Sequence, residues 1–389
     1  VSGENPGENC TSSLQAAKRK KRKDKEEETI RRQTLNLAHY KLGDERIMAL
    51  APSLASMGMY KIILLSDNRA TDVALHFLLH SIVKEIDCHN TIATLDLSDN
   101  EMGPRTINRM PMFIQSQSSS LLSLHLGGTL KKLNEIQRMK LLQCLTNGES
   151  QTLVELRLPS NGFTNKEAAC LAESLSTNKC PQLRSLDLEW NSLTEIGVRA
   201  IAESLSTNTS LRELNLNFNS AGKSAASFAR SLLVNKTLKT LLLEANSVNG
   251  RGAIVFSEYL LETEHPLEIL NLNSNPITTM GARAMLRVLS RGVAMKRLSF
   301  KTEYAKDKKL RDQFSPLYLP KEMILDLSVP FQRAQATMLM RMAAEDAGFN
   351  LLRLRYNNSD LELTRQCLDL EGSSIKNYKK HFMRLCRRN

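Results

Sequence analysis

Short alternations of apolar and polar residues recur down the chain, most of them closed by an asparagine. The clearest copies are Leu186-Asp-Leu-Glu-Trp-Asn191 and Leu214-Asn-Leu-Asn-Phe-Asn219, a phrase of the form L-x-L-x-x-N. Its first apolar residue falls at Leu35, Ile63, Leu95, Leu124, Leu156, Leu186, Leu214, Leu241, Leu270 and Leu298. Successive copies are 28, 32, 29, 32, 30, 28, 27, 29 and 28 residues apart. The alternation predicts a short strand with its leucines turned to one side. Between strands, segments such as Glu167-Ala-Ala-Cys-Leu-Ala-Glu-Ser-Leu175 and Val198-Arg-Ala-Ile-Ala-Glu-Ser-Leu205 carry small and apolar residues at helical spacing. Neither element buries its leucines alone, so repetition at this period predicts stacked strand–helix units around one continuous core.

The closing residues Asn68, Asn100, Asn161, Asn191, Asn219, Asn246 and Asn275 are predicted to form a structural ladder. An amide side chain both donates and accepts, so it can bond its own turn and the neighbouring repeat. Thr129 stands in for asparagine in the fourth copy, behind Gly127-Gly128, and predicts an irregular loop there.

The pattern resembles the ribonuclease-inhibitor-like class of leucine-rich repeats, in units of a strand, an asparagine turn and a full helix. The resemblance covers residues 33–303. It implies an α/β fold, a right-handed horseshoe solenoid of about ten strand–helix repeats, in an intracellular protein. It also implies recognition of a protein partner on the concave strand face. No enzyme activity, catalytic residue, bound metal or cofactor is expected.

Outside the repeats, residues 1–32 read as a polar, disordered arm with a basic block, Lys18-Arg-Lys-Lys-Arg-Lys23. Residues 304–371 read as an α/β C-terminal cap or small domain, with a strand at 323–328, a helix after Pro330 and a second strand at 351–356. Residues 372–389 read as a basic amphipathic helix, with Ile375, Tyr378, Phe382 and Leu385 along one side. The net charge of +12 changes this picture only at the ends. Residues 18–32 hold nine Lys/Arg against four acids, and residues 372–389 hold six and no acid, so the solenoid is close to neutral. The basic ends suit an acidic partner, with nuclear import or nucleic-acid binding as a weaker alternative.

No run approaches the ~20 apolar residues of a membrane span, and no signal-peptide pattern is read. Because the first residue is Val1, a start further upstream is expected. The seven cysteines (10, 88, 144, 170, 180, 367 and 386) form no paired framework. That scatter fits thiols in a reducing compartment, so a cytoplasmic location is expected, with the nucleus as alternative. In such a compartment the sequons at Asn208 and Asn235 carry no meaning.

If the leucines point inward, the residues around them point to the concave face. In repeats five to eight these are Glu155, Arg157, Ser185, Asp187, Glu189, Glu213, Asn215, Asn217, Thr240, Leu242 and Glu244, a mostly acidic and amide stripe. Trp190 and Phe218 occupy the same place in successive copies at its edge. The predicted partner-binding residues are Trp190, Phe218, Asp187, Glu189, Glu213, Asn215 and Glu244, with the two aromatics as anchors and a basic partner surface opposite.

Three other patterns imitate chemistry. Asn217-Phe-Asn-Ser-Ala-Gly222-Lys223-Ser224 resembles a phosphate loop but has Asn217 where the loop needs glycine. His76 and His80 lie i,i+4, with Cys88 and His89 downstream, a spacing that could hold zinc but has no accompanying carboxylate motif. Leu95-Asp-Leu-Ser-Asp-Asn100-Glu-Met-Gly-Pro104 is similar to a repeat of the Ran GTPase-activating protein, which would give Arg69 the role of stabilising phosphoryl-transfer charge. The turn after Asn68 is short for that role, and the family's acidic tail is replaced by a basic end. The reading is therefore a non-enzymatic interaction scaffold or adaptor. The alternatives are a GTPase activator, a nuclear or nucleic-acid-associated factor, and a cytoskeletal or ciliary assembly component.

Overall fold

The computed structural model describes residues 27–56, 59–84, 92–146, 152–262, 266–277, 281 and 284–285, with the backbone strands 297–300 and 323–326. Strands stand on all ten phrases. They are β1 (Thr34–Asn36), β2 (Ile62–Leu64), β3 (Thr94–Asp96), β4 (Ser123–His125), β5 (Glu155–Arg157), β6 (Ser185–Asp187), β7 (Glu213–Asn215), β8 (Thr240–Leu242), β9 (Ile269–Leu272) and β10 (Arg297–Phe300). A helix follows each of the first eight: α1 (Gly43–Ser56), α2 (Asp72–Lys84), α3 (Pro104–Ser116), α4 (Glu135–Thr146), α5 (Asn165–Ser176), α6 (Glu195–Ser204), α7 (Ala225–Val234) and α8 (Gly250–Glu262). This is the α/β leucine-rich-repeat architecture that the period predicts.

The chain divides into two compact units, residues 1–132 and 133–389. In the first, β1 to β4 pair in parallel with Leu35 opposite Ile63, Ile63 opposite Leu95 and Leu95 opposite Leu124. In the second, β5 to β10 pair in parallel with Leu156, Leu186, Leu214, Leu241, Leu270 and Leu298 in one row. An eleventh strand, β11 (Met323–Asp326), runs antiparallel to β10. The rest of the expected cap, the basic block at 18–23 and the basic helix at 372–389 lie outside the described residues. The boundary between the units falls beside the fourth repeat, where turns run from Gly127 to Leu133 before α4 begins.

Within each unit the strand leucines meet the helices in a dry layer. Leu186, Leu188, Leu214, Leu216, Leu241 and Leu243 are all buried, as are Val198, Ile201, Phe228 and Phe256 of the helices. Each buried leucine contributes about 1.5–3 kcal/mol by leaving water.

Such short strands leave buried turn groups that need partners. The asparagine side chains supply them. Asn100 Nδ2 donates to Leu65 O and Leu97 O, both at 2.9 Å, while its Oδ1 accepts from Asn68 N at 3.2 Å and Ala70 N at 3.0 Å. Asn219 Nδ2 donates to Leu188 O and Leu216 O, both at 3.0 Å, and its Oδ1 accepts from Leu193 N at 3.2 Å. Asn68, Asn191, Asn246 and Asn275 likewise donate to a carbonyl one repeat back. Asn161 is also fully buried. Thr129 keeps half the device: its hydroxyl donates to Leu97 O at 3.1 Å. Lacking an amide oxygen, it leaves Met102 N to the Thr129 main-chain carbonyl, at 3.1 Å.

Further inter-repeat bonds lie on the helix side. Asp72, in the first turn of α2, accepts from Gly103 N at 2.9 Å, Arg105 N at 3.0 Å and Thr106 N at 2.9 Å, capping α3 in the next repeat. Burial resists its ionisation, but the Thr106 side chain and these backbone amides outweigh it and hold the carboxyl below its usual range. Asn165 Oδ1 does the same for α6 through Thr194 N at 3.0 Å and Gly197 N at 3.1 Å. Close approach explains the glycine here: a Cβ on Gly197 would stand 2.7 Å from Asn165 Oδ1. The two sequon asparagines prove structural. Asn208 donates to Leu175 O at 3.0 Å, and Asn235 to Leu205 O at 2.8 Å and Asn208 O at 2.9 Å.

Glu167 is fully buried, bonded to Arg138 Nε at 2.7 Å and Thr164 Oγ1 at 2.6 Å in a capping box. Burial pushes its carboxyl up, but the Thr164 and Arg138 bonds outweigh this and hold it below the usual glutamate range.

These bonds generate three stability predictions. Asn219→Ala strands the Leu193 amide and takes one of two amide donors from each of the Leu188 and Leu216 carbonyls, and should lower unfolding free energy by about 2–3 kcal/mol in urea titration. Arg138→Met leaves a buried carboxylate without its cation and should cost about 3–5 kcal/mol at neutral pH. Because Glu167 titrates lower folded than unfolded, its contribution is complete above the unfolded value and is lost as pH falls through the folded one. The gap between wild type and Glu167→Gln should therefore narrow in urea melts taken below about pH 4.

Candidate functional site

The strand face of the second unit places the predicted residues as follows. Arg157 and Glu213 are exposed, while Glu155, Ser185, Asp187, Glu189, Asn215, Thr240, Leu242 and Glu244 are half-buried. Asn217 departs from the expected outward position. It is buried, because its Oδ1 accepts from Glu244 N at 2.8 Å. Most of the stripe thus remains accessible, but Asn217 belongs to the scaffold.

Trp190 and Phe218 stack on one another. Their ring centroids are 4.0 Å apart and their planes differ by 7°. Trp190 is 55% exposed, and Phe218 is half-buried. The cause lies in the backbone. The residue before the ladder position is left-handed in each of the first nine repeats: His39, Asp67, Asp99, Gly128, Ser160, Trp190, Phe218, Ala245 and Ser274. Their φ values run from 50° to 67°. The turn demands this conformation, which disfavours bulky side chains. Seven repeats use small, polar, glycine or histidine residues there; two adjacent ones use large aromatic rings.

The carboxylates around the pair are held by amides and hydroxyls. Asn215 Nδ2 donates to Glu189 Oε2 at 2.9 Å. Asn271 Nδ2 and Ser274 Oγ donate to Glu244 at 3.1 and 3.3 Å. Glu155 bonds Arg157 Nε at 2.6 Å. Among the described residues, Asp187, Glu189, Glu213 and Glu244 form no ion pair. Asp187 accepts from Glu189 N at 3.0 Å. Burial pushes its carboxyl above the usual aspartate range despite that bond.

In the phosphate-loop lookalike, the amides of Ser220 and Gly222 are spent on Leu193 O and Asn246 O, at 2.8 and 3.0 Å. His80 faces Arg109 Nη2 at 2.6 Å; burial and that guanidinium lower its pKa. Cys88 and His89 lie outside the described residues, and no metal-ligating cluster occurs among the described ones. Arg69 is exposed in the turn after Asn68, while the Asn100 amide is committed to five backbone groups. Cys180 is a buried thiol, pushed up to about 11 by its burial, with Sγ 3.8 Å from Leu145 O. No helix among the described residues is long and apolar enough to cross a membrane.

A leucine-rich-repeat family model matches residues 179–202 and 264–286. The chain carries leucine-rich repeats. That family is generally an interaction fold without catalysis of its own, and it implies protein partners. No match is found among curated proteins. Among solved structures, the chain is similar to the tropomodulin C-terminal domain of Caenorhabditis elegans, at 17% identity over 40% of this chain and 91% of that one, TM-score 0.34. It is similar to leiomodin-1 actin-binding site 2, at 18% identity over 41% and 90%, TM-score 0.34. It is also similar to human 5T4, at 21% identity over 53% and 67%, TM-score 0.34. These likenesses carry no inference about a partner.

Sequence reasoning located the two aromatics in register but had no signal for their contact distance or their left-handed backbone. Both features bear on why the rings are there. A bulky residue in this conformation costs about 1–2 kcal/mol, while a stacked aromatic pair returns about 0.5–1.5 kcal/mol. Trp190→Gly and Phe218→Gly should therefore each shift unfolding free energy by less than about 1 kcal/mol in urea melts, well short of the loss for Asn219→Ala.

Proposed function

We propose that this chain is a protein-interaction scaffold whose strand face in the second unit binds a partner with a basic surface. Trp190 and Phe218 anchor the contact, and Asp187, Glu189, Glu213 and Glu244 select for positive charge, with Asn215 holding Glu189 in place. The observation that carries the reading is the stacked aromatic pair, Trp190 exposed and Phe218 half-buried, beside Glu189 and Glu244, which are held by neutral amides. Rings at interface centres carry a large share of binding energy, and surrounding charge of one sign raises encounter rate and rejects like-charged surfaces. The repeats belong, on this reading, to the ribonuclease-inhibitor-like class, supported by the full helix after each of the first eight strands. The cytoplasm is the proposed location, and the basic ends are a second contact for an acidic partner.

A peptide library displayed on phage and panned on the full chain tests the face. Enriched sequences should be rich in Lys and Arg. Their binding should fall at least tenfold in the Trp190→Ala/Phe218→Ala variant and in Glu189→Lys/Glu213→Lys/Glu244→Lys. It should also weaken steeply between low and physiological salt. Enrichment of peptides that bind both variants as well as wild type places the interaction elsewhere on the molecule.

A further inference from the structure

Parallel rings in neighbouring repeats stack along the axis of the array. One face of Trp190 therefore lies on Phe218, and the other turns back toward the fifth repeat. The same register position there is Ser160, preceded by Pro159, both half-buried. Strands in a sheet are about 4.8 Å apart, close to the 4.0 Å separation of the two rings. One repeat step beside Trp190 is thus the depth of one planar group, and the chain puts only a serine side chain there. Arg157 of the fifth repeat, opposite Asp187 in the sheet, is bonded to Glu155 at 2.6 Å. Asp187 and Glu189 stand three and one residues before Trp190 in the same phrase, without an ion pair among the described residues.

We propose that the space above Ser160 is a slot for one arginine side chain of the partner, its guanidinium stacked flat on Trp190 with Asp187 and Glu189 as counter-charges. This deepens the basic-partner reading above and rests on it. Three requirements select arginine. The occupant is flat, because it continues a stack of parallel rings. It is cationic, because the indole face and the neighbouring carboxylates both attract positive charge. It also sheds its water readily, because the slot is one group deep. Guanidinium is planar, permanently charged and weakly hydrated, whereas a lysine ammonium is compact and strongly hydrated. A neutral aromatic side chain would satisfy the stack and leave the carboxylates unanswered.

Trp190 is the only tryptophan in the chain, so its emission reports this position without a label. The full chain is titrated with Lys-Lys-Gly-Arg-Gly-Lys-Lys and with two relatives carrying lysine or citrulline in place of the central arginine. Citrulline keeps the flat shape and removes the charge. The arginine peptide should bind about fivefold to tenfold tighter than either relative and shift the emission most. Ser160→Phe places a third ring in the stack and should reduce the arginine peptide to the lysine peptide's affinity while leaving the latter unchanged. Should that variant fail to fold by its urea midpoint, Ser160→His serves, since His39 adopts the same left-handed position in the first repeat. Equal affinity for all three peptides, insensitive to filling position 160, overturns the slot and leaves the basic-partner face standing. No response of Trp190 to any of the peptides overturns both.

Discussion

The constraint on which this molecule depends is the satisfaction of buried backbone at the end of very short strands. Three residues of pairing per repeat bring the chain into a dry layer and then require it to turn at once. Water cannot follow, so each turn's carbonyls and amides need partners from the protein itself. A single amide side chain serves both kinds of group, because it donates and accepts together. Asn100 and Asn219 show the outcome: carbonyls of two repeats and an amide of the preceding turn converge on one side chain. Adjacent repeats are therefore tied by hydrogen bonds that neither makes alone, which is the coupling a linear array relies on.

The same turn fixes what the surface can display. The residue just before each ladder asparagine is forced into the left-handed region, and its side chain leaves the core. In the first unit this position is occupied by His39, Asp67, Asp99 and Gly128. His39 Nδ1 meets Asp67 Oδ2 at 3.1 Å, and a side chain at Gly128 would collide with the Asp99 carboxylate. In the second unit the row runs Ser160, Trp190, Phe218, Ala245 and Ser274, with the rings between small neighbours. One backbone device thus yields a polar row in one unit and an open aromatic stack in the other.

How much of this was legible depends on the range of each interaction. All ten strands stand on the ten phrases, because apolar alternation and a closing asparagine are local signals. The helices were legible from spaced alanines and leucines. What the sequence hid were contacts whose partners lie a whole repeat apart. Asn208 and Asn235 looked like sequons without meaning, yet each amide ties a helix end to its neighbour. Asp72 looked like an ordinary first-turn acid, and it caps the helix of the next repeat. Asn217 had the alternation of an outward residue, but its amide turned inward to Glu244 N. Trp190 and Phe218 were in register by counting. Their parallel stacking follows from the turn's left-handed backbone, which no residue type in the phrase encodes.

The charge on the strand face also follows from the backbone. Glu189 and Glu244 are fixed by the amides of Asn215 and Asn271, neutral donors that orient a carboxylate without cancelling its charge. An ion pair would have oriented them equally well and left nothing to attract a partner. Burial of Asp187 goes further, since it raises the energy of the charged form. Arg157, opposite it in the sheet, offsets that effect only in part, and a second cation arriving beside Asp187 adds to the offset. Preoriented carboxylates and a preformed stack lose little freedom on binding. The scaffold is therefore stabilised by asparagine at the turns, and the face it presents in the second unit is arranged for an incoming positive, planar group rather than for its own stability.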